Sequence, residues 1–243
     1  MNLRTLQFII FLLVPIVNFG SNFLMESPFD NDAKVLIQPA GYAFAIWGPI
    51  FLGMIIYAWF QMREERVESE HLSSATKAGI LAGLASIAFV PISFMDIQWL
   101  GFINIIWHLV ALIWLFTALR KQIRIEKNPN TQWYYLPTQM YLGWICAATA
   151  VSTALMLTEA GVRPDISTQV IITVVVIAVL VQIGIFMSYK DGLTVPLVFI
   201  WALAGIIVEN GNYPIIKYSC IAAIVILALV TIPQIVRKRR LAF

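Results

Sequence analysis

The sequence predicts an all-α integral membrane protein of about eight transmembrane helices. Three observations predict it. Of 243 residues, 60% are apolar and only 12% are charged, whereas a soluble domain carries about 25% charged residues. Mean hydropathy is +0.83. The apolar residues also gather into eight runs, each near the roughly twenty residues a helix needs to cross the hydrocarbon core.

The runs cover residues 6–23, 41–61, 78–94, 100–119, 133–157, 166–187, 193–208 and 214–236. The first follows Arg4 and weakens near Asn18, which also fits a signal peptide. No small-x-small cleavage pattern stands out between Gly20 and Met25, so a retained helix is expected. The second opens on "QPAGYAFAIWGPIFLG", Gln38 to Gly53, which crowds Tyr42, Phe44, Trp47 and Phe51 among Pro39, Pro49 and three glycines. Pro49 is expected to kink this helix. The segment "REERVESEHLSSATK" before the third run reads as a mixed-charge helical extension or a solvated loop. The third and seventh runs are short. The seventh has room to extend into Tyr189 and Glu209.

Loop charges support this count. With the N-terminus inside and the spans alternating, inside positions collect Arg4, Arg63, Arg66, Lys77, Arg120, Lys121, Arg124, Lys127, Lys190 and the run Arg237 to Arg240. Outside positions keep Lys34, Arg163 and Lys217. Thirteen of the 16 basic residues then face the cytoplasm, as the positive-inside rule requires. Both termini are expected there, and the membrane is expected to be the plasma (inner) membrane.

The same composition excludes several functions. The net charge of +3 arises from short clusters at span ends, which are topology signals and not a nucleic-acid surface. Cys146 and Cys220 lie inside apolar runs without CxxC spacing or a nearby His, so no metal or redox site is expected. Every Asp, Glu, Lys and Arg sits in a loop or near a span end. That argues against a proton pump, a carboxylate metal site and general acid–base catalysis. No enzyme is expected, and no cofactor is required.

Inside the spans, aromatic and neutral polar residues remain. Phe44, Trp47 and Phe51 follow i, i+3, i+7 on one helical face. Tyr141 and Trp144 share a face with Ala148 and Ser152. Asn104, Trp107, His108, Ala111 and Trp114 form a broad face of the fourth run. Two roles fit His108: part of a polar and aromatic pocket wall, or an interhelical hydrogen bond. Flat rings deep in a span suit a flat apolar ligand. Core packing explains them too.

These pieces resemble the TspO/MBR family, the tryptophan-rich sensory proteins related to the peripheral benzodiazepine receptor. "QPAGYAFAIWGPIFLGMIIYAW" looks like the family's second-helix signature, with Pro39, Phe44, Trp47 and Phe51 on it. "SIAFVPISF" is similar to the third-helix pattern around a proline, here Pro91. "LPTQMYLGWICAATAVS" is similar to the fifth-helix pattern, with Pro137, Tyr141, Trp144, Ala148 and Thr149 corresponding. Ser86, Phe89 and Ser152 stand where the family has Asn, Trp and Asn. Three further spans from Ile166 onward have no counterpart in the five-helix members.

The resemblance implies a five-helix bundle over residues 1–160, with three additional transmembrane helices over 161–243 packed on it. It implies an intramembrane cavity with Pro39, Tyr42, Phe44, Trp47, Phe51, Phe89, Tyr141 and Trp144 on its wall or entrance. Asn104, Trp107 and His108 join them from the fourth span. The expected function is a membrane sensory or binding protein for a flat apolar ligand, tetrapyrrole- or sterol-like. A small-solute transporter using the same cavity and an intramembrane lipid-modifying enzyme are the alternatives. Expected partners are membrane lipid and the apolar small molecule, with no nucleic acid. A homodimer is compatible with the sequence.

Overall fold

A computed structural model describes residues 2–24, 35–63, 68–95, 97–126, 131–159, 165–190 and 193–240. These residues form eight α-helices and one 3-10 helix, and no strand occurs among them. The helices are α1 (Leu3–Leu24), α2 (Trp47–Arg63), α3 (Glu70–Phe94), α4 (Gln98–Glu126), α5 (Thr131–Glu159), α6 (Ile166–Lys190), α7 (Thr194–Asn210) and α8 (Pro214–Arg240). All but α7 are long and apolar enough to cross a membrane. At 17 residues, α7 stands at the short end of the range for a span.

Two boundaries differ from the sequence expectation for physical reasons. Residues Gly41–Ile46 form the 3-10 helix, and α2 starts only at Trp47. Pro49 therefore falls in the first turn of α2, where its missing N–H has no intrahelical partner to lose. It suits the start of the helix. The third helix begins at Glu70, two turns before the apolar run. The Ser69 side chain caps it by accepting from the Leu72 N–H at 3.1 Å, and Glu70 in the first turn suits the positive end of the helix. The mixed-charge segment is thus a helical extension from Glu70 onward. Residues 64–67 lie outside the described residues, as do Lys34 and Arg163.

The chain divides into two compact units. The first holds Met1–Asp32 and Ile46–Ile145; the second holds Ala33–Ala45 and Cys146–Phe243. In the first unit, α1 packs on α2 and α3, and α3 packs on α4. Gly79 and Gly83 of α3 let α1 approach closely. A Cβ on Gly79 would lie 1.9 Å from Gln7 Nε2, and one on Gly83 would lie 2.4 Å from Ile10 Cγ2. The spacing is the small-xxx-small pattern of membrane helix contacts. Gly53 plays the same part against Pro137, joining α2 to α5.

One end of this unit is basic. Arg4 pairs with Glu68, Phe8 packs on Trp59 at 5.3 Å between ring centroids, and the Arg63 guanidinium lies 4.6 Å from the Trp59 ring centre. The Ser69 hydroxyl meets the Gln122 side chain. The start of α1, end of α2, start of α3 and end of α4 are therefore level, so neighbouring helices run in alternate directions. Arg4, Arg63, Arg120, Lys121 and Arg124 all belong to this end.

In the second unit α6, α7 and α8 pack on one another. The segment before the 3-10 helix is pinned to α7. The Ala40 N–H donates to the Gly205 carbonyl at 3.0 Å. The Asn210 amide donates to the Gln38 carbonyl at 3.1 Å, and the Trp201 indole donates to the Ala43 carbonyl at 2.8 Å. Gly205 makes this possible, because a Cβ there would meet Pro39 at 2.8 Å and Ala43 at 3.0 Å.

Candidate functional site

The candidate site lies in the first unit, in the half away from the basic end. Its centre is a group of four rings on α2 and α5. Trp47 stacks on Phe51, with 5.0 Å between centroids and 24° between planes. It stands edge-on to Tyr141 at 5.7 Å and to Trp144 at 6.2 Å. Phe19 of α1 meets the edge of Phe51 at 5.7 Å. Phe51, Tyr141 and Trp144 are buried, while Trp47 is half-buried. Spacing explains the grouping: Trp47 and Phe51 are one turn apart on α2, and Tyr141 and Trp144 are nearly one turn apart on α5. The Gly53–Pro137 contact brings these two helices close enough for their rings to touch.

A neutral polar group flanks the rings. The His108 ring stands edge-on to Tyr141 at 5.0 Å. Asn104, one turn earlier on α4, donates its amide to the Ala85 carbonyl at 3.2 Å. Asn18 of α1 donates to the Ser86 carbonyl at 3.3 Å. The Tyr141 hydroxyl lies beside the Ser86 side chain without closing a well-shaped hydrogen bond. Asn104 is 2% exposed and His108 is 3% exposed. No Asp, Glu, Lys or Arg is among the buried described side chains. The arrangement offers ring stacking and uncharged hydrogen bonds, which is chemistry for holding a molecule.

A family model described as TSPO-like protein matches residues 4–233. The chain belongs to the TSPO-like protein family. That match runs from α1 into α8, so it takes in the last three helices as well as the first five. No curated protein and no solved structure matches the chain.

In this TSPO-like chain the residues singled out from sequence fall into three groups. Trp47, Phe51, Tyr141 and Trp144 come together, with Asn104 and His108 alongside. Phe89 is half-buried on α3 of the same unit. Pro39, Tyr42 and Phe44 belong to the second unit, where Pro39 is buried against Gly205 and Tyr42 stands edge-on to Trp201 at 5.4 Å. The single face drawn through Phe44, Trp47 and Phe51 assumed α-helical phase throughout. The 3-10 turn ends that phase at Ile46. The broad face on α4 also splits: Asn104, His108 and Ala111 are buried, but Trp107 and Trp114 are each 39% exposed. Trp114 donates its indole N–H to Ser74 at 2.6 Å and ties α4 to α3.

Several contributors escaped the sequence reading. Gly79 and Gly83 stand in "GILAG", a small-xxx-small spacing that was legible. A second buried polar layer lies nearer the basic end, where the Gln61 amide donates to the Thr76 hydroxyl at 2.7 Å and Gln7 sits over Gly79. Lone glutamines in apolar runs carry no pattern that would announce such a layer.

Proposed function

We propose that the protein is a membrane sensory or binding protein that holds a flat apolar ligand, tetrapyrrole- or sterol-like, against Trp47, Phe51, Tyr141 and Trp144. One observation carries the reading: four aromatic rings from two helices converge in the spanning region, three of them buried. Aromatic pairs of this geometry contribute about 0.5–1.5 kcal/mol each beyond area burial, and a planar ligand gains the same terms when it joins the group. Trp47 is the half-buried member, so it is the ring a ligand reaches first. Membership of the TSPO-like family supports a binding or sensory role in general.

On this reading the protein sits in the plasma (inner) membrane with its basic ends in the cytoplasm. It assigns no reaction to the site. Native mass spectrometry of the detergent-purified protein tests it. A flat small molecule should co-purify with the wild type and be depleted in Trp47→Ala. If both proteins carry phospholipid alone, in equal amount, the reading fails.

A further inference from the structure

We infer that Gln7, Gln61 and Thr76 bind ordered water between α1, α2 and α3, which makes a hydrated joint at the basic end of the first unit. This site is separate from the aromatic group and stands or falls without it. Three buried atoms carry the inference. Gln7 and Gln61 are each 0% exposed. Oε1 and Nε2 of Gln7 have no hydrogen-bond partner among the described residues, and neither has Oε1 of Gln61. Folded proteins pair nearly all such atoms with protein or with ordered water, because burial strips their hydration.

Local chemistry fixes what each amide still needs. The Thr76 hydroxyl donates to the Leu72 carbonyl at 3.0 Å. Its oxygen is then free only to accept, so the Gln61 NH2 group faces it at 2.7 Å. Gln61 keeps an acceptor, and Gln7 keeps both a donor and an acceptor. The missing partner must donate to two amide oxygens and accept from an amide nitrogen. Water does both, and a polar site with this many partners is one that water occupies. Charge argues against an ion: no Asp, Glu, Lys or Arg is among the buried described side chains, and an unpaired buried charge is costly.

Placement puts the three side chains at one level. Gln7 lies over Gly79, and Thr76 stands three residues earlier on the same helix. Phe8, next to Gln7, packs on Trp59 at 5.3 Å, two residues before Gln61. Gln61 is two residues from the end of α2 at Arg63, and Gln7 is four from the start of α1 at Leu3. Water therefore enters from a polar end about one helical turn away. One turn deeper, Ile10 and Phe11 meet Gly83, and that contact is apolar.

Thermal melts in detergent give one reading. Gln7→Leu and Gln61→Leu each leave the other amide without the network that hydrates it, so each should lower the melting temperature. The double variant should melt no lower than the less stable single, because the stranded amide goes as well. Additive losses would mean that the two amides share nothing, and the proposal would fall. The second reading needs no variant: wild-type crystals grown from lipid, in sodium and in rubidium salts, at a resolution that shows ordered water. Density should place water within hydrogen-bond distance of Gln7 and Gln61, unchanged between the two salts. A direct Gln7–Gln61 hydrogen bond without a water peak overturns the proposal. So does a peak that strengthens in rubidium, which marks a cation.

Discussion

The indole of Trp47 meets that of Trp144 edge to face, with 6.2 Å between ring centroids and 83° between planes. They come from α2 and α5, nearly a hundred residues apart in sequence. Trp47 also touches Phe51 and Tyr141, so on the proposed reading one side chain is both site wall and packing element. Trp47→Ala should therefore weaken binding of a flat apolar ligand about threefold to tenfold, the worth of one lost ring contact. Its melting temperature in detergent should fall as well. Trp59 lies at the basic end against Phe8 and Arg63, so Trp59→Ala should leave affinity alone. Equal loss in the two variants would mean that tryptophan content, not position, governs the signal.

The two glycines of α3 should respond differently to the same added methyl. Gly83→Ala drives a Cβ to 2.4 Å from the stiff, branched Ile10, and overpacking of this kind costs about 1–3 kcal/mol. Gly79→Ala meets the far end of a flexible glutamine, which can swing aside. The gain from replacing a helical glycine, about 0.5–1 kcal/mol, should offset most of its cost. Thermal melts of both variants in one detergent check the asymmetry. A larger loss at Gly79 would contradict the packing described for α1 and α3.

Segment 35–45 should loosen when α7 loses its indole donor. Trp201→Phe removes the hydrogen bond to the Ala43 carbonyl, worth about 0.5–1.5 kcal/mol. Hydrogen exchange at Ala40 and Ala43 should accelerate while the centre of α8 stays protected. Unchanged protection at those two amides would show that the Ala40–Gly205 and Asn210–Gln38 hydrogen bonds and the Gly205 packing hold the segment without the indole.

How much of this was legible in the sequence depended on the interaction concerned. Hydropathy alone located all eight helices, because lipid-facing surfaces impose apolar runs of fixed length. Helix ends were harder. The starts of α2 and α3 are set by a 3-10 turn and a serine cap, which are local hydrogen-bond choices invisible to hydropathy. Periodicity correctly paired Trp47 with Phe51 and Tyr141 with Trp144. It did not set Trp107 apart, where a five-residue face was drawn wider than the buried stripe. No pattern within one helix could show that His108 of α4 would meet Tyr141 of α5.

Asp165 gives the chain a pH-sensitive helix start outside the spans. Its carboxylate accepts from the Thr168 N–H at 3.2 Å. The Thr168 side chain first, and the backbone N–H groups after it, hold its pKa below the usual carboxylate value. A lowered pKa means that the cap stabilises the folded form above the ordinary range, about pH 4, and that this is lost as pH falls through the lowered value. Amide exchange in the first turn of α6, corrected for its intrinsic pH dependence, should rise on acidification in the wild type. In Asp165→Asn, whose side chain still caps, it should not. Parallel behaviour of the two proteins would remove the carboxylate from the account.

The most direct test of the central claim is photolabelling with a diazirine-bearing pyrene, mapped by peptide mass spectrometry. If Trp47, Phe51, Tyr141 and Trp144 hold a flat apolar ligand, label should concentrate on residues 47–51 and 141–144. Excess unlabelled pyrene should compete it away, and Trp47→Ala should lose it. Label confined to outward residues such as Ile103 and Val110, and insensitive to competitor, would contradict the claim and leave the ring group as packing alone.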